Sequence, residues 1–306
     1  MKLQQLRFLR EVARCGLNVS AAAEALFTAQ PGVSNQIRLL EEELQVQVFE
    51  RNGKRLVALT EAGQQILTMA ERVLKETENI KRVGAEYANE TAGSLALATT
   101  HTQARYALPN VIKKFRERYP HVTLHMRQGS PTQIAEMVVN GDADLAIATE
   151  GIHLYEDLIM LPCYEWNRCV IAAVNHPIHK ELPLTLETIA KYPLVTYDFA
   201  FAGRSKINDA FVAKNLKPDV VMTAIDSDVI KTYVELGLGI GLLAKMAFDP
   251  TRDTQLRAID ASHLFAPSTT RIGIRKGAYL RGYMFAFIEL FAPHLTRAKV
   301  REATEG

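Results

Sequence analysis

The chain has little cysteine, little net charge and no long apolar run, and each shortage closes off a class of function. Its three cysteines, Cys15, Cys163 and Cys169, form no CxxC pair, so neither a disulfide framework nor a zinc site is expected. Cys163 and Cys169 are close enough in sequence to raise a redox sensor, but free thiols ordinarily serve as small buried hydrophobes, which is the reading preferred. The formal charge is only +2 over 306 residues, so a contact with nucleic acid has to come from a local patch rather than a global field. The opening MKLQQLRFLREVARCG has no continuous apolar segment, and no stretch is long enough to cross a bilayer. Neither export nor membrane insertion is expected, and the predicted compartment is the cytoplasm. The eight histidines supply no metal-ligand spacing and no Ser/His/Asp arrangement; His153, His176, His179 and His294 read as loop residues. Gly237-Leu-Gly-Ile-Gly241 lacks the full dinucleotide spacing and follows a helix, so it reads as a tight helix-to-strand turn. No metal, cofactor or catalysed reaction is predicted.

What is present begins with the stretch Ala21 to Thr60. A small-residue helix from Ala21 to Leu26, with Ser20 as its N-cap, is followed by a turn over Phe27 to Ala29 and a second helix with Pro31 in its first turn. Val33, Ile37 and Leu40 recur at helical spacing and predict the buried stripe of that second helix. Gln30, Ser34, Asn35 and Arg38 fall on its other face. Short amides and hydroxyls with one guanidinium form a set able to read base edges in a major groove. An ordinary helical hairpin with a solvated face would look similar. The residues from Phe49 to Thr60 tell against it, because Asn52-Gly53 is a strong hairpin signal and Arg51, Lys54 and Arg55 make its tip basic. A basic wing after a reading helix can reach phosphate or the adjacent minor groove.

Thr60 is placed to cap a helix running to about Ala88. Gly63, Ile66, Ala70, Val73, Thr77, Ile80, Gly84 and Tyr87 recur along it at alternating three and four, the pattern of a dimerisation seam, although a helix packed on its own chain would share it. Beyond a polar hinge at 89 to 93 the pattern alternates strand and helix, which predicts right-handed crossovers, mainly parallel sheets and two α/β lobes facing a cleft. Ser130 and Gln133 form a capping box. The expected organisation is a winged helix-turn-helix over residues 1–60, a linker helix over 61–88 and a two-lobed effector domain over 89–306. Polar clusters fall at predicted strand ends: Thr99 to Gln103, Gly129 to Thr132, and Ala148 to Glu150. Ligands of open α/β sheets bind there, and helix N-termini with hydroxyls suit a small anion, although any one cluster would serve equally as caps and turns.

The segments Leu6-Arg-Phe-Leu9, Ala21 to Leu26, Gln30-Pro-Gly-Val-Ser-Asn-Gln-Ile37, Leu40-Glu41, Phe49, Arg51 and Leu59-Thr-Glu-Ala-Gly63 resemble the N-terminal domain of LysR-type transcriptional regulators. One departure is Ala29, where such proteins usually carry a hydroxyl that caps the reading helix; Thr28 is the substitute to look for. The runs THTQARYALP, GSPTQIAE, LAIATE and LPCYEWNR resemble the branch of that family that controls sulfur assimilation and cysteine biosynthesis. The resemblance implies promoter DNA as a partner, read through Gln30, Pro31, Ser34, Asn35 and Arg38 with Arg51, Lys54 and Arg55. It implies a periplasmic-binding-protein-like effector domain holding sulfate, N-acetylserine or O-acetylserine on Thr100, Thr102, Gln103 and Thr149. It further implies a homotetramer built from dimers and activation with RNA polymerase. A further ligand threonine of the family is absent, since Phe201-Ala202-Gly203-Arg204-Ser205 carries alanine at 202, which puts the effector's identity in question. Two alternatives are a paralogous regulator of sulfate- or sulfonate-starvation genes and, in a different class, a solute-binding protein.

Overall fold

The computed structural model describes residues 1–53, 55–88, 91–149, 155–198 and 204–305. Two compact units divide the chain, Met1–Tyr87 and Ala88–Gly306. In the first, α1 (Leu3–Arg14), α2 (Val19–Ala25) and α3 (Gln30–Leu44) enclose a core that includes Leu9, Val12, Ala22, Val33, Ile37 and Leu40. The predicted start of α2 is corrected. Asn18, not Ser20, is its N-cap, and the Asn18 side chain accepts from the backbone of Ser20 and Ala21, each at 3.1 Å. Its longer side chain reaches both free first-turn amides, which leaves Ser20 inside the helix. At α3 Pro31 sits in the first turn as expected, but Ala29 is the N-cap and no side chain caps it, so Thr28 does not substitute. The antiparallel hairpin β1 (Phe49–Asn52) and β2 (Arg55–Leu59) comes next, turned at Gly53 with φ of 61°.

The Thr60 hydroxyl accepts from Gly63 N at 2.9 Å and starts α4 (Glu61–Ala88). The anticipated seam divides in two. Gly63, Leu67, Ala70 and Leu74 are buried in the unit's own packing, whereas Met69, Val73, Ile80 and Tyr87 are exposed by 63%, 41%, 69% and 87%. At about 100° per residue the two sets lie on adjacent stripes of one helix, so Gly63 and Ala70 belong to the inner stripe and not to an outer seam. No described helix is long and apolar enough to cross a membrane.

The second unit holds two five-stranded sheets. Strands β3 (Ala92–Thr99), β4 (His121–Gln128), β5 (Leu145–Ala148), β6 (Leu158–Trp166) and β12 (Ser268–Arg275) are ordered β4-β3-β5-β12-β6. Strands β7 (Arg168–Ala173), β8 (Leu194–Tyr197), β9 (Val220–Ala224), β10 (Ile240–Ala244) and β11 (Leu256–Asp260) are ordered β11-β7-β10-β8-β9. Helices α5 (Leu108–Arg118), α6 (Pro131–Asn140), α10 (Gly282–Phe291) and α11 (Arg297–Glu305) accompany the first sheet; α7 (Leu186–Ile189), α8 (Arg204–Ala213) and α9 (Ser227–Glu235) accompany the second. The crossover strands pair in parallel, β3 with β4 and β5, and β8 with β9 and β10. Returning strands pair antiparallel, and two of them, β6 and β11, were not foreseen, so both sheets are mixed. The chain crosses between the sheets at Asn167 and again between β11 and β12.

The local signals hold in detail. Ser130 and Gln133 cap α6 reciprocally at 2.9 and 3.3 Å. Gly239 has φ of 147°, and a Cβ built on it would lie 2.1 Å from the Pro193 carbonyl oxygen, so the glycine run between α9 and β10 serves a close backbone approach. Cys163 and Cys169 are buried on different sheets, and burial pushes both thiols up to about 12, against redox chemistry. His176 caps a short 3₁₀ turn, while His179 and His294 each donate to a carbonyl at 2.9 Å; His153 lies outside the described residues. Gly239→Ala is expected to lower the stability of this unit by about 2 kcal/mol or more and Ser130→Ala by about 1 kcal/mol, both read as shifts in the urea midpoint.

Candidate DNA-reading and effector sites

In the first unit the core stripe of α3 turns the opposite face outward. Gln30, Pro31, Asn35 and Arg38 are exposed and Ser34 is half-buried. Their polar atoms are already ordered along the helix: Gln30 Nε2 donates to Ser34 Oγ at 2.9 Å, and Arg38 donates to Asn35 Oδ1 at 2.9 Å and to Glu42. Arg51 differs from its expected role as a free wing cation. It pairs with Glu41 at 2.8 Å, and the other Glu41 oxygen accepts from the backbone of Val48 and Phe49. One carboxylate thus ties the wing to α3, and charge-assisted bonds of this kind hold geometry well. Arg55 makes no ion pair among the described residues and, with Asn52, Gln30 and Asn18, lines an open groove of about 880 Å³. Lys54 lies outside the described residues.

In the second unit the strand order sets the site. β3 lies between β4 and β5, and β8 between β9 and β10, so each sheet has a switch point at the C-terminal end of a central strand, where a crevice opens. Thr99 Oγ1 donates to Ile147 O at 3.0 Å and Thr196 Oγ1 to Leu242 O at 3.1 Å, which ties each central strand to a neighbour. After Thr99 the chain enters a π-helical turn, Gln103–Ala107, inside what was predicted as plain helix. Gln103 is buried; its Nε2 donates to Thr270 Oγ1 at 3.2 Å and its Oε1 accepts from Tyr164. Thr149 Oγ1 accepts from Trp166 Nε1 at 3.3 Å and lies 3.5 Å from Thr270 Oγ1. Thr102 is buried, and at the switch point of the other sheet the Tyr197 hydroxyl lies 2.6 Å from Ser227 Oγ and accepts from Ala244 N at 3.3 Å. The Thr100 hydroxyl makes no hydrogen bond among the described residues. Of the five expected effector residues, Gln103 and Thr149 are joined through Thr270 Oγ1, Thr100 and Thr102 stand on the segment that leads into Gln103, and Ala202 lies outside the described residues.

Sequence reasoning missed Tyr164, Trp166 and Thr270. Tyr164 and Trp166 stand two apart on β6 and so share a face, but β6 itself was not foreseen, and only the register that sets Thr270 against Tyr164 assembles the group. Burial pushes the Tyr164 hydroxyl up to about 12, so it stays a neutral donor.

A second cluster bridges the lobes. Tyr106 Oη donates to Asp228 Oδ1 at 2.7 Å, and His101 Nε2 and Arg105 Nε lie 3.2 and 3.4 Å from Asp228 Oδ2. Within α9, Lys231 Nζ is 3.2 Å from Asp228 and 3.1 Å from Asp253. Burial raises the Asp228 pKa, but the Tyr106, His101 and Lys231 contacts outweigh it and bring the carboxyl down to about 2.

The family is decided by comparison. Residues 88–296 match the LysR substrate binding domain, and residues 3–64 match the bacterial regulatory helix-turn-helix protein, lysR family. The chain belongs to the LysR family. It is 52% identical to the HTH-type transcriptional regulator CysB of Burkholderia cenocepacia over 306 residues, covering all of this chain and 98% of that protein. It is 54% identical to the HTH-type transcriptional regulator SsuR of the same organism over 300 residues, 98% of this chain and 97% of that one. The crystal structure of the cofactor-binding domain of the Cbl transcriptional regulator superposes with a TM-score of 0.69 at 45% identity, covering 71% of this chain and 96% of that domain. The chain is a DNA-binding transcriptional regulator with an effector domain; its relatives are regulators, not enzymes.

Because the Asp228 carboxyl has a lower pKa in the folded state than its ordinary 3.8, its stabilising contribution is complete above about pH 4 and lost as pH falls towards about 2. Asp228→Asn is expected to lower the melting temperature by a few degrees at neutral pH, with the gap from wild type closing as pH is brought from about 4 to about 2.

Proposed function

We propose that this regulator controls sulfur-assimilation genes and answers a small oxyanion or acetylserine-type effector held between its lobes. The reading is supported by Gln103 and Thr149, which share Thr270 Oγ1, with Thr100 and Thr102 on the segment that leads into Gln103. Hydroxyls and an amide without a carboxylate among them suit an oxyanion such as sulfate, or the hydroxyl and carboxylate of N-acetylserine or O-acetylserine. Similarity to CysB supports cysteine and sulfur genes as targets; comparable similarity to SsuR supports the starvation-response alternative. The solute-binding reading is set aside by the helix-turn-helix match.

On this reading Gln30, Pro31, Ser34, Asn35 and Arg38 meet base edges, while Arg55, Lys54 and in part Arg51 meet phosphate. The exposed stripe of α4, with Val73, Ile80 and Tyr87, pairs two copies so that two reading helices address two half-sites. A homotetramer needs a second interface, and exposed Val221, Ile225, Tyr233 and Leu236 on and beside β9 and α9 are an apolar face suited to it. Contact with RNA polymerase and a cytoplasmic location go with activation of promoters.

Gel-shift titration against an upstream sulfur-gene segment tests the DNA reading. Asn35→Ala is expected to reduce specific binding by about 1 to 3 kcal/mol while leaving non-specific binding alone. Arg55→Ala is expected to reduce both and to flatten the salt dependence; unchanged sequence discrimination in Asn35→Ala would refute base reading. Calorimetry tests the pocket. Thr100→Ala is expected to weaken sulfate or acetylserine binding roughly tenfold, because its hydroxyl is not committed elsewhere, and Ala202→Thr to tighten it by a similar factor, about 1.4 kcal/mol. Unaltered affinity in Thr100→Ala would reject the pocket.

A further inference from the structure

The segment from Thr100 to Tyr106 faces two ways. Gln103 turns into the hydroxyl network, whereas His101, Arg105 and Tyr106 turn towards α9 of the other lobe and end on one carboxylate, Asp228. We propose that Asp228 is a positioning residue for the effector: by holding this segment against α9 it sets the lobe separation at which Thr100, Thr102 and Thr149 meet a ligand. The inference rests on the effector reading above and adds what controls that site.

Three features separate this role from ordinary packing. Asp228 does not start α9, because the cap is Asp226, which accepts from Val229 N at 2.8 Å. Lys231 does not depend on it, since Lys231 also reaches Ala247 O at 3.0 Å and Asp253 at 3.1 Å. Among the described residues the remaining contacts of the Asp228 carboxylate, from Tyr106, His101 and Arg105, come from the opposite lobe. Lys231 adds to the bridge by lying 5.2 Å above the Tyr106 ring. His101, Asp226 and Asp228 are also close enough together for one cation. Arg105 and Lys231 already supply that charge, and Asp226 is spent as a cap, so a metal is the weaker reading.

The carboxylate is partly exposed, with 39% of its side chain open to solvent, so the bridge is of modest strength. Modest strength suits a control element. Apparent affinity falls in proportion to the fraction of molecules in the binding-competent arrangement, and a small bias between open and closed lobes changes that fraction severalfold. The effector and the bridge grip the same short segment, so neither can move it without affecting the other.

The full-length protein is titrated calorimetrically with sodium sulfate and, separately, N-acetylserine at constant ionic strength, as wild type, Asp228→Asn, Tyr106→Phe and the double variant. Each single change is expected to raise Kd about fivefold or more, and the double change to be no worse than the weaker-binding single, because both break one bridge. Tyr106→Phe keeps the ring over Lys231 and guards against loss of folding in Asp228→Asn. Hydrogen exchange without ligand is followed in parallel, with faster exchange expected in both residues 100–107 and α9 of Asp228→Asn. Kd values within about twofold of wild type, or additive losses in the double variant, would overturn the proposal. If wild type binds neither probe, the effector reading is what fails. Exchange then decides the bridge, with faster exchange in both segments supporting it and unchanged exchange refuting it.

Discussion

Both lobes of the effector unit depend on how the chain crosses between its sheets. Backbone that leaves one sheet must find partners for its polar groups before it enters the next. Here the two crossings satisfy each other. Asn167 Nδ2 donates to Ser262 O and Phe265 O at 3.1 and 3.2 Å, and the Arg168 guanidinium donates to Ala266 O at 3.1 Å and Ser268 Oγ at 2.8 Å. Arg168 is only 1% exposed and stacks on Trp166 at 5.2 Å. Its bonds come from both terminal nitrogens, and breaking such a buried set is costly. Trp166 carries the crossing into the site, since its Nε1 donates to Thr149. The join between lobes and the proposed effector site thus share a side chain.

The DNA-reading unit uses a similar economy. Glu41, with its side chain only 11% exposed, gathers two backbone amides and Arg51 at the entry to the wing. Val33, Ile37 and Leu40 fix the helix from beneath, and Glu41 fixes the hairpin from the side. Removing Arg51 would therefore disturb the wing's position as well as a phosphate contact, whereas Arg55 stands clear of such a role. The difference matters because two arginines four residues apart look interchangeable in the sequence.

The two sheets are built alike around the proposed site. Each has a central strand with parallel neighbours on both sides, a buried threonine near its end bonded to the next strand, and a polar residue facing the other lobe. In the second sheet Tyr197 ends the central strand, with Ser227 Oγ 2.6 Å from its hydroxyl. A ligand in the proposed site would contact two lobes at once, which is the condition for effector binding to alter their relation.

By itself the sequence determined what depends on neighbouring residues. The stripe Val33, Ile37, Leu40, the hairpin at Asn52-Gly53, the capping box at Ser130 and Gln133, and the turn through Gly239 are written in spacings of a few positions, and they appear as read. The family was legible for the same reason, since its motifs are short and contiguous. Tertiary structure decided what depends on distant partners. Glu41 claimed Arg51 because the hairpin folds back onto α3. One stripe of α4 was drawn inward because Leu67 and Leu74 found the unit's own core. Tyr164, Trp166 and Thr270 joined Gln103 and Thr149 through strand register, and Asp228 met Tyr106 from 122 residues away. Periodicity shows which face of an element is buried or polar; only packing decides which other face it meets.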